Sequence, residues 1–218
     1  MPVTLSIDTC IDGGSAAVYD GGAEIAALDL LSAGKQDPPP LHKIDELLVS
    51  SGLNIGSIDR IVVTRGPGSF TGVRTGLSII RGLLRARGIS YSTCTVMEAL
   101  TEMADTSLDE WRTAIFAGKR EAAVQNFERK GTRFKSVGKH FLVTREELIR
   151  DPYKAIIIGP GLASSFESEP EIAVSKRLIT ADRNIARLAY RFVNKHGSTS
   201  ETASLEPVYT REFVTGRS

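Results

Sequence analysis

At 218 residues the chain is long enough for one large domain or two smaller ones, and 27 Lys and Arg against 26 Asp and Glu leave a formal charge of +1. That balance excludes overall electrostatic steering toward polyanions or membranes, so any nucleic-acid contact has to be local. There is no run of 18 apolar residues, and the two cysteines, Cys10 and Cys94, lack metal or redox spacing. These features predict a cytoplasmic protein with buried, reduced thiols.

Val3 to Ile7 alternates toward Asp8, and the turn residues Asp12, Gly13 and Gly14 lead into a second strand from about Ala16 to Tyr19. A second turn, Asp20-Gly21-Gly22, opens a third strand to about Leu31, which predicts an antiparallel meander. Pro38-Pro39-Pro40 then precedes a helix with apolar positions Leu41, Ile44, Leu47 and Leu48, ended by Gly52. The β-branched run Ile58 to Thr64 is followed by a glycine-rich turn, a helix from Val73 to about Arg87 ended by Gly88, and a strand from Ile89 to Cys94.

The second half reads as a weaker repeat. Arg112 to Phe116 and Ala122 to Phe127 suit paired strands, Thr144 caps a short helix to Ile149, and Ala155 to Ile158 suits a buried strand ending at Gly159-Pro160-Gly161. A helix is expected from Asp182 to Lys195, then a polar linker over Ser198 to Ser204 and an extended segment, Leu205 to Arg211. Two related α/β lobes follow, divided near 105/106, with the last helix and tail expected to pack back on the first lobe.

The turn Arg65-Gly66-Pro67-Gly68-Ser69-Phe70-Thr71-Gly72-Val73-Arg74-Thr75-Gly76 is the most specific segment. It lacks the Lys and hydroxyl pair of a phosphate-binding P-loop, and the dinucleotide fingerprint fails at Thr71. Two readings stay open. The glycines let the turn pack closely on the sheet with Ser69 or Thr71 capping the helix, or the helix start binds an anion. In that helix Val73, Gly76, Leu77, Ile79, Ile80, Leu83 and Leu84 cover an apolar arc of about 160°, wider than one core face needs. With the excess on the preceding helix and the small Gly76 and Gly82, this suggests helix-on-helix association with a second chain. Arg74, Ser78, Arg81 and Arg85 form a basic stripe that suits solvent, a carboxylate-bearing partner or RNA phosphates.

Little else assembles. Asp8 ends the first strand where a carboxylate could hold a phosphate-bound metal. His42, His140 and His196 are far apart, and Glu46 stands where a paired-histidine metal face would need a second histidine. No nucleophile elbow or cysteine–histidine pair is present, so no catalytic set is expected.

The glycine turn, the opening Ile7-Asp8-Thr9, the Leu41-His42 helix and the closing Pro207-Val208-Tyr209-Thr210-Arg211 resemble, in order and over most of the chain, the bacterial TsaB family, also called YeaZ. That resemblance implies a two-lobed actin-like ATPase and sugar-kinase fold of ribonuclease H-like type, with a mixed five-stranded sheet and helices in each lobe. It implies a non-catalytic partner of TsaD, the transferase that places threonylcarbamoyl on the adenosine beside the anticodon of tRNAs reading A-starting codons. The ATPase TsaE joins the pair, tRNA is met through the complex, no cofactor or metal is implied, and the isolated chain is expected to be able to pair with itself. The helices 41–51 and 73–86 then form the interface, through Leu41, Ile44, Leu48, Val73, Leu77, Ile80 and Leu84. Asp8 is read as a vestige of the phosphate and metal site. Family members carry an Asp-Ala-Arg-Lys-like turn where this chain has Ala117-Gly118-Lys119-Arg120. The alternative is an ATP-binding kinase or ATPase of the same superfamily, with Asp8 on the metal and Gly159-Pro160-Gly161 near adenosine.

Overall fold

Two five-stranded mixed sheets carry the fold, described by a computed structural model over residues 2–11, 13–30, 38–105, 107–118, 121–131, 133–150, 153, 155–162, 177–181, 184–197 and 205–210. The first sheet holds β1 (Val3–Asp8), β2 (Ser15–Asp20), β3 (Ala23–Asp29), β4 (Arg60–Thr64) and β5 (Ser90–Cys94), in the order β3-β2-β1-β4-β5. β1, β2 and β3 are the expected antiparallel meander, and β4 and β5 add in parallel. The parallel crossovers run through α1 (Pro40–Ser50) and α2 (Phe70–Arg87).

α1 starts at Pro40 because proline suits the first turn of a helix, where no backbone donor is needed. Gly88, at φ +64, closes α2 in the left-handed conformation. A short helix α3 (Val96–Leu100), absent from the sequence expectation, is set by a capping box between Thr95 and Glu98.

The second sheet repeats the plan with β6 (Glu110–Gly118), β7 (Glu121–Lys130), β8 (Arg133–Thr144), β9 (Ala155–Ile158) and β10 (Arg177–Thr180), in the order β10-β9-β6-β7-β8. Again three antiparallel strands precede two parallel additions. β8 and β10 were not foreseen. In β8 the alternation slips at Gly138, whose φ of +73 accompanies a register shift against β7, so a period-2 pattern is hard to read there. Thr144 caps α4 (Arg145–Ile149) as expected.

The last helix, α5 (Ile185–His196), begins three residues later than predicted because Asn184 is its cap, accepting the Arg187 N–H at 3.0 Å. It packs on β1, β2, β4, β5 and α3 although it follows the second sheet in the chain. Ser6 donates to the Ala186 carbonyl at 2.7 Å, the Ala186 N–H donates to Ser15 Oγ at 3.0 Å, and Arg187 meets Glu24 of β3 at 2.7 Å. One hydrophobic cluster therefore runs from Leu5 and Ile61 through Leu188 and Phe192 to Trp111 and Ile115. No helix among the described residues is long and apolar enough to cross a membrane. The linker Ser198 to Ser204, Lys119-Arg120 and Arg211 lie outside the described residues.

Candidate functional site: the glycine turn, the cleft and the paired helices

The chain's own backbone occupies the glycine turn. Gly66 sits at φ +101, and a Cβ there would overlap the Val208 carbonyl. At Gly72 a Cβ would overlap the Thr9 carbonyl, Gly68 meets the Cys10 carbonyl in the same way, and Gly76 is closed by the Thr9 side chain. Hydrogen bonds lock the arrangement: Ser69 N–H to Cys10 O at 2.8 Å, Val96 N–H to Gly66 O at 2.8 Å and Val208 N–H to Arg65 O at 2.7 Å. Thr9 Oγ1 donates to Gly72 O at 2.7 Å. Ser69, rather than Thr71, caps α2 by accepting the Gly72 N–H at 3.2 Å. Of the two open readings the close-packing one describes this turn.

Asp8 lies beneath it, fully buried. Its carboxylate accepts the Cys10 and Ile11 N–H groups at 3.2 and 3.3 Å and the Thr64 hydroxyl. Burial raises its pKa above the ordinary carboxylate value, against the lowering effect of Thr64, Cys10 and Ile11. Both oxygens are committed to the β1 turn and to β4. The Asp8 carboxylate, expected as a vestige of a phosphate and metal site, makes these described contacts inward, to the chain itself. Burial also pushes the Cys10 and Cys94 thiols well above their usual range, so both stay protonated near neutrality.

Between the sheets lies a cleft of about 250 Å³, lined by Cys10, Gly68 and Ser69 on one side and Phe116 and Pro160 on the other, with Thr210 from the tail. The extended segment 205–210 crosses from one sheet to the other. Leu205 O accepts from Arg81 at 2.8 Å, Tyr209 lies 5.3 Å from Phe70 ring to ring, and His140 of β8 meets Tyr209 O at 2.9 Å. In the sequence Thr9 stands out only within the Ile7-Asp8-Thr9 opening, and the pairing of Val208 with Arg65 is not legible there. Their signal was the glycine spacing itself, which required some backbone nearby without saying which.

The predicted interface residues separate into two groups. Ile44, Leu48, Val73, Leu77 and Ile80 are buried against the chain's own core, and Gly76 is closed by Thr9. The arc on α2 is thus largely spent inside the chain. What α1 and α2 leave outside is Leu41 at 49% exposure, Val49 at 64%, and the half-buried Ile79, Leu83 and Leu84. Pro39, Leu41, Ile44, Leu48, Ile55 and Leu83 line an open groove of about 540 Å³ between the helices. His42 pairs with Glu46 at 3.2 Å on the rim, both exposed. In the basic stripe, Arg74 stacks 5.2 Å from the Phe70 ring centre and Arg81 is spent on the tail.

Comparison with known proteins places this geometry. Residues 41–195 match the family model described as TsaD: tRNA N6-adenosine threonylcarbamoyltransferase. Over 79 residues, 36% of the chain, the sequence is 39% identical to a tRNA threonylcarbamoyladenosine biosynthesis protein TsaB of Haemophilus influenzae and 35% identical to that of Escherichia coli. The aligned stretch spans 33% and 34% of those relatives' own length. The fold is similar to YeaZ from Pseudomonas aeruginosa, with a TM-score of 0.65 at 20% identity over 96% of this chain and all of that one. It is also similar to the activator of 2-hydroxyisocaproyl-CoA dehydratase from Clostridium difficile, solved with ADPNP bound, at a TM-score of 0.54, 10% identity, 88% of this chain and 95% of that one.

Proposed function

The chain belongs to the TsaD-type threonylcarbamoyltransferase family, within its TsaB (YeaZ) branch, and from that premise we propose that it is a non-catalytic subunit of the machinery that makes threonylcarbamoyladenosine in tRNA. Its partner in this reading is TsaD, with TsaE joining the pair and tRNA reaching the assembly mainly through TsaD.

One observation carries the non-catalytic reading: the segment best placed to hold phosphate is filled by the chain's own backbone. The glycines face Thr9, Cys10 and Val208, and the Asp8 carboxylate is turned inward onto Cys10, Ile11 and Thr64. The cleft formed by the described residues, about 250 Å³, is also smaller than the roughly 300–1,000 Å³ usual for small-molecule sites. The bound ADPNP of the Clostridium difficile activator keeps a nucleotide-binding reading in view, though that likeness is one of fold. Micromolar binding of ATP with magnesium to the isolated chain, abolished by Asp8→Ala, would favour that reading instead.

The groove between α1 and α2 is the proposed docking face for TsaD. Leu41→Glu should leave stability within about 0.5 kcal/mol, because the side chain is half exposed, and should weaken co-elution with TsaD by tenfold or more. Leu77→Glu is the informative contrast. Its charge would be buried, so it should unfold the chain rather than report on an interface. Unchanged co-elution of the Leu41→Glu chain would remove this face from the assembly.

A further inference from the structure

The outer face of the second sheet carries chemistry that neither the glycine turn nor the α1–α2 groove uses. Residues directly opposite each other in an antiparallel pair share a face. The β7–β8 register pairs Lys130 with Arg133, Glu128 with Lys135, Asn126 with Val137 and Val124 with Phe141. The β6–β7 register pairs Arg112 with Asn126 and Phe116 with Ala122. Arg133, Lys135, Val137, Phe141, Arg112 and Phe116 therefore stand on one face, while Trp111 and Phe127 hold the opposite one, in the core.

That face is basic at one end and aromatic at the other. Arg133 and Lys135 are exposed and make no ion pair among the described residues, and the same holds for Lys139 in the bulge. Glu128, the cross-strand partner of Lys135, is taken by Lys130 at 3.1 Å. Further along, Phe141 is 41% exposed and Phe116 47% exposed. Behind Phe141 lies the buried Arg112, its guanidinium 5.3 Å from the Phe141 ring centre and 4.4 Å from that of Tyr153, with Nε donating to Asn126 at 2.7 Å. The ring is thus backed by a fixed cation and open on the side that faces solvent.

Lysines on an edge strand guard against edge-to-edge pairing, and β8 is such an edge. That explains the charges but not the exposed Phe141 and Val137 on the same strand, while Phe116 is used by the cleft between the sheets. Toward β6 and β9 this face is covered by the buried cluster of Ala122, Val124, Leu148 and Ile156, and what stays open is the β8 edge, where cations stand beside a stacking ring, the chemistry that holds single-stranded nucleic acid through phosphates and base faces respectively. We propose that this edge of the face binds single-stranded RNA, with phosphates meeting Lys135 and Lys139 and a base stacking on Phe141. The inference rests on the tRNA reading above and adds a direct RNA contact to it. With a net charge of +1 the contact is local, so it depends on these few side chains.

The test is anisotropy of a fluorescent anticodon stem-loop RNA titrated with the full chain, alone and mixed with TsaD, between about 50 and 200 mM salt. The double variant Lys135→Gln/Lys139→Gln should weaken binding at least fivefold and flatten the logarithmic salt slope by about 1.4, two phosphate contacts at about 0.7 each. Phe141→Ala should weaken it about tenfold with the slope unchanged, and Phe141→Trp should keep the parent affinity. Unchanged affinity and slope in the double variant overturns the proposal. So does loss of co-elution with TsaD by that variant, which would make the face a protein interface. The functional reading fails separately, if the parent chain gives no support to threonylcarbamoyl transfer. Transfer supported by the parent, with RNA binding indifferent to the lysines, overturns this face alone.

Discussion

Asp8 and Gly72 show how residues whose pattern suits a phosphate or metal site can make close contacts with the chain itself. A Cβ at position 72 would occupy the space of the Thr9 carbonyl, which is backbone and cannot swing away. Gly72→Ala should therefore cost at least about 1–3 kcal/mol in denaturant unfolding, although alanine favours helices elsewhere. For Asp8 the sign follows from the raised pKa. A carboxyl that binds its proton more tightly when folded contributes stability that is full below the ordinary value near about 3.9 and is lost as pH rises through the folded value. A carboxamide in its place would not titrate. The Tm of an Asp8→Asn variant, relative to the parent, should therefore climb as pH rises above about 4, and a flat difference would mean Asp8 is not desolvated as described.

The elements show where sequence reading succeeds and where it stops. The meander, the parallel crossover through α2, the helix after the prolines and the Thr144 cap were legible because each has a local cause: turn glycines, proline at a helix start, a capping hydroxyl. β8 was not, because Gly138 breaks its alternation, and the start of α5 was misplaced because Asp182 and Asn184 are both of a capping type and stand close together in the sequence. The width of the α2 arc was legible, yet its meaning changed. Val73, Leu77 and Ile80 are covered by the chain's own core, which only long-range packing could reveal. The tail is the clearest case of a partner invisible to local sequence. Since Val208 closes Gly66 and Tyr209 meets both Phe70 and His140, ending the chain at residue 204 should lower Tm and speed amide exchange at Val96, whose N–H bonds Gly66 O.

Across the whole molecule the two sheets repeat one strand plan, β3-β2-β1-β4-β5 and β8-β7-β6-β9-β10, with α5 carried over from the second half to the first sheet. In a two-lobed frame of this kind the space between the sheets is the natural place for a ligand. Here the glycine turn and the Asp8 network pack within the chain and the tail reaches the cleft, while apolar surface is left outside on α1 and α2. On this balance rests the proposal that the chain serves assembly rather than catalysis. The most direct measurement is reconstituted threonylcarbamoyl transfer to tRNA by TsaD and TsaE, run without this chain, with it, and with its Asp8→Asn variant. The account predicts little transfer without the chain and equal transfer with parent and variant. Transfer that collapses with Asp8→Asn, while the variant still folds and co-elutes with TsaD, would contradict it.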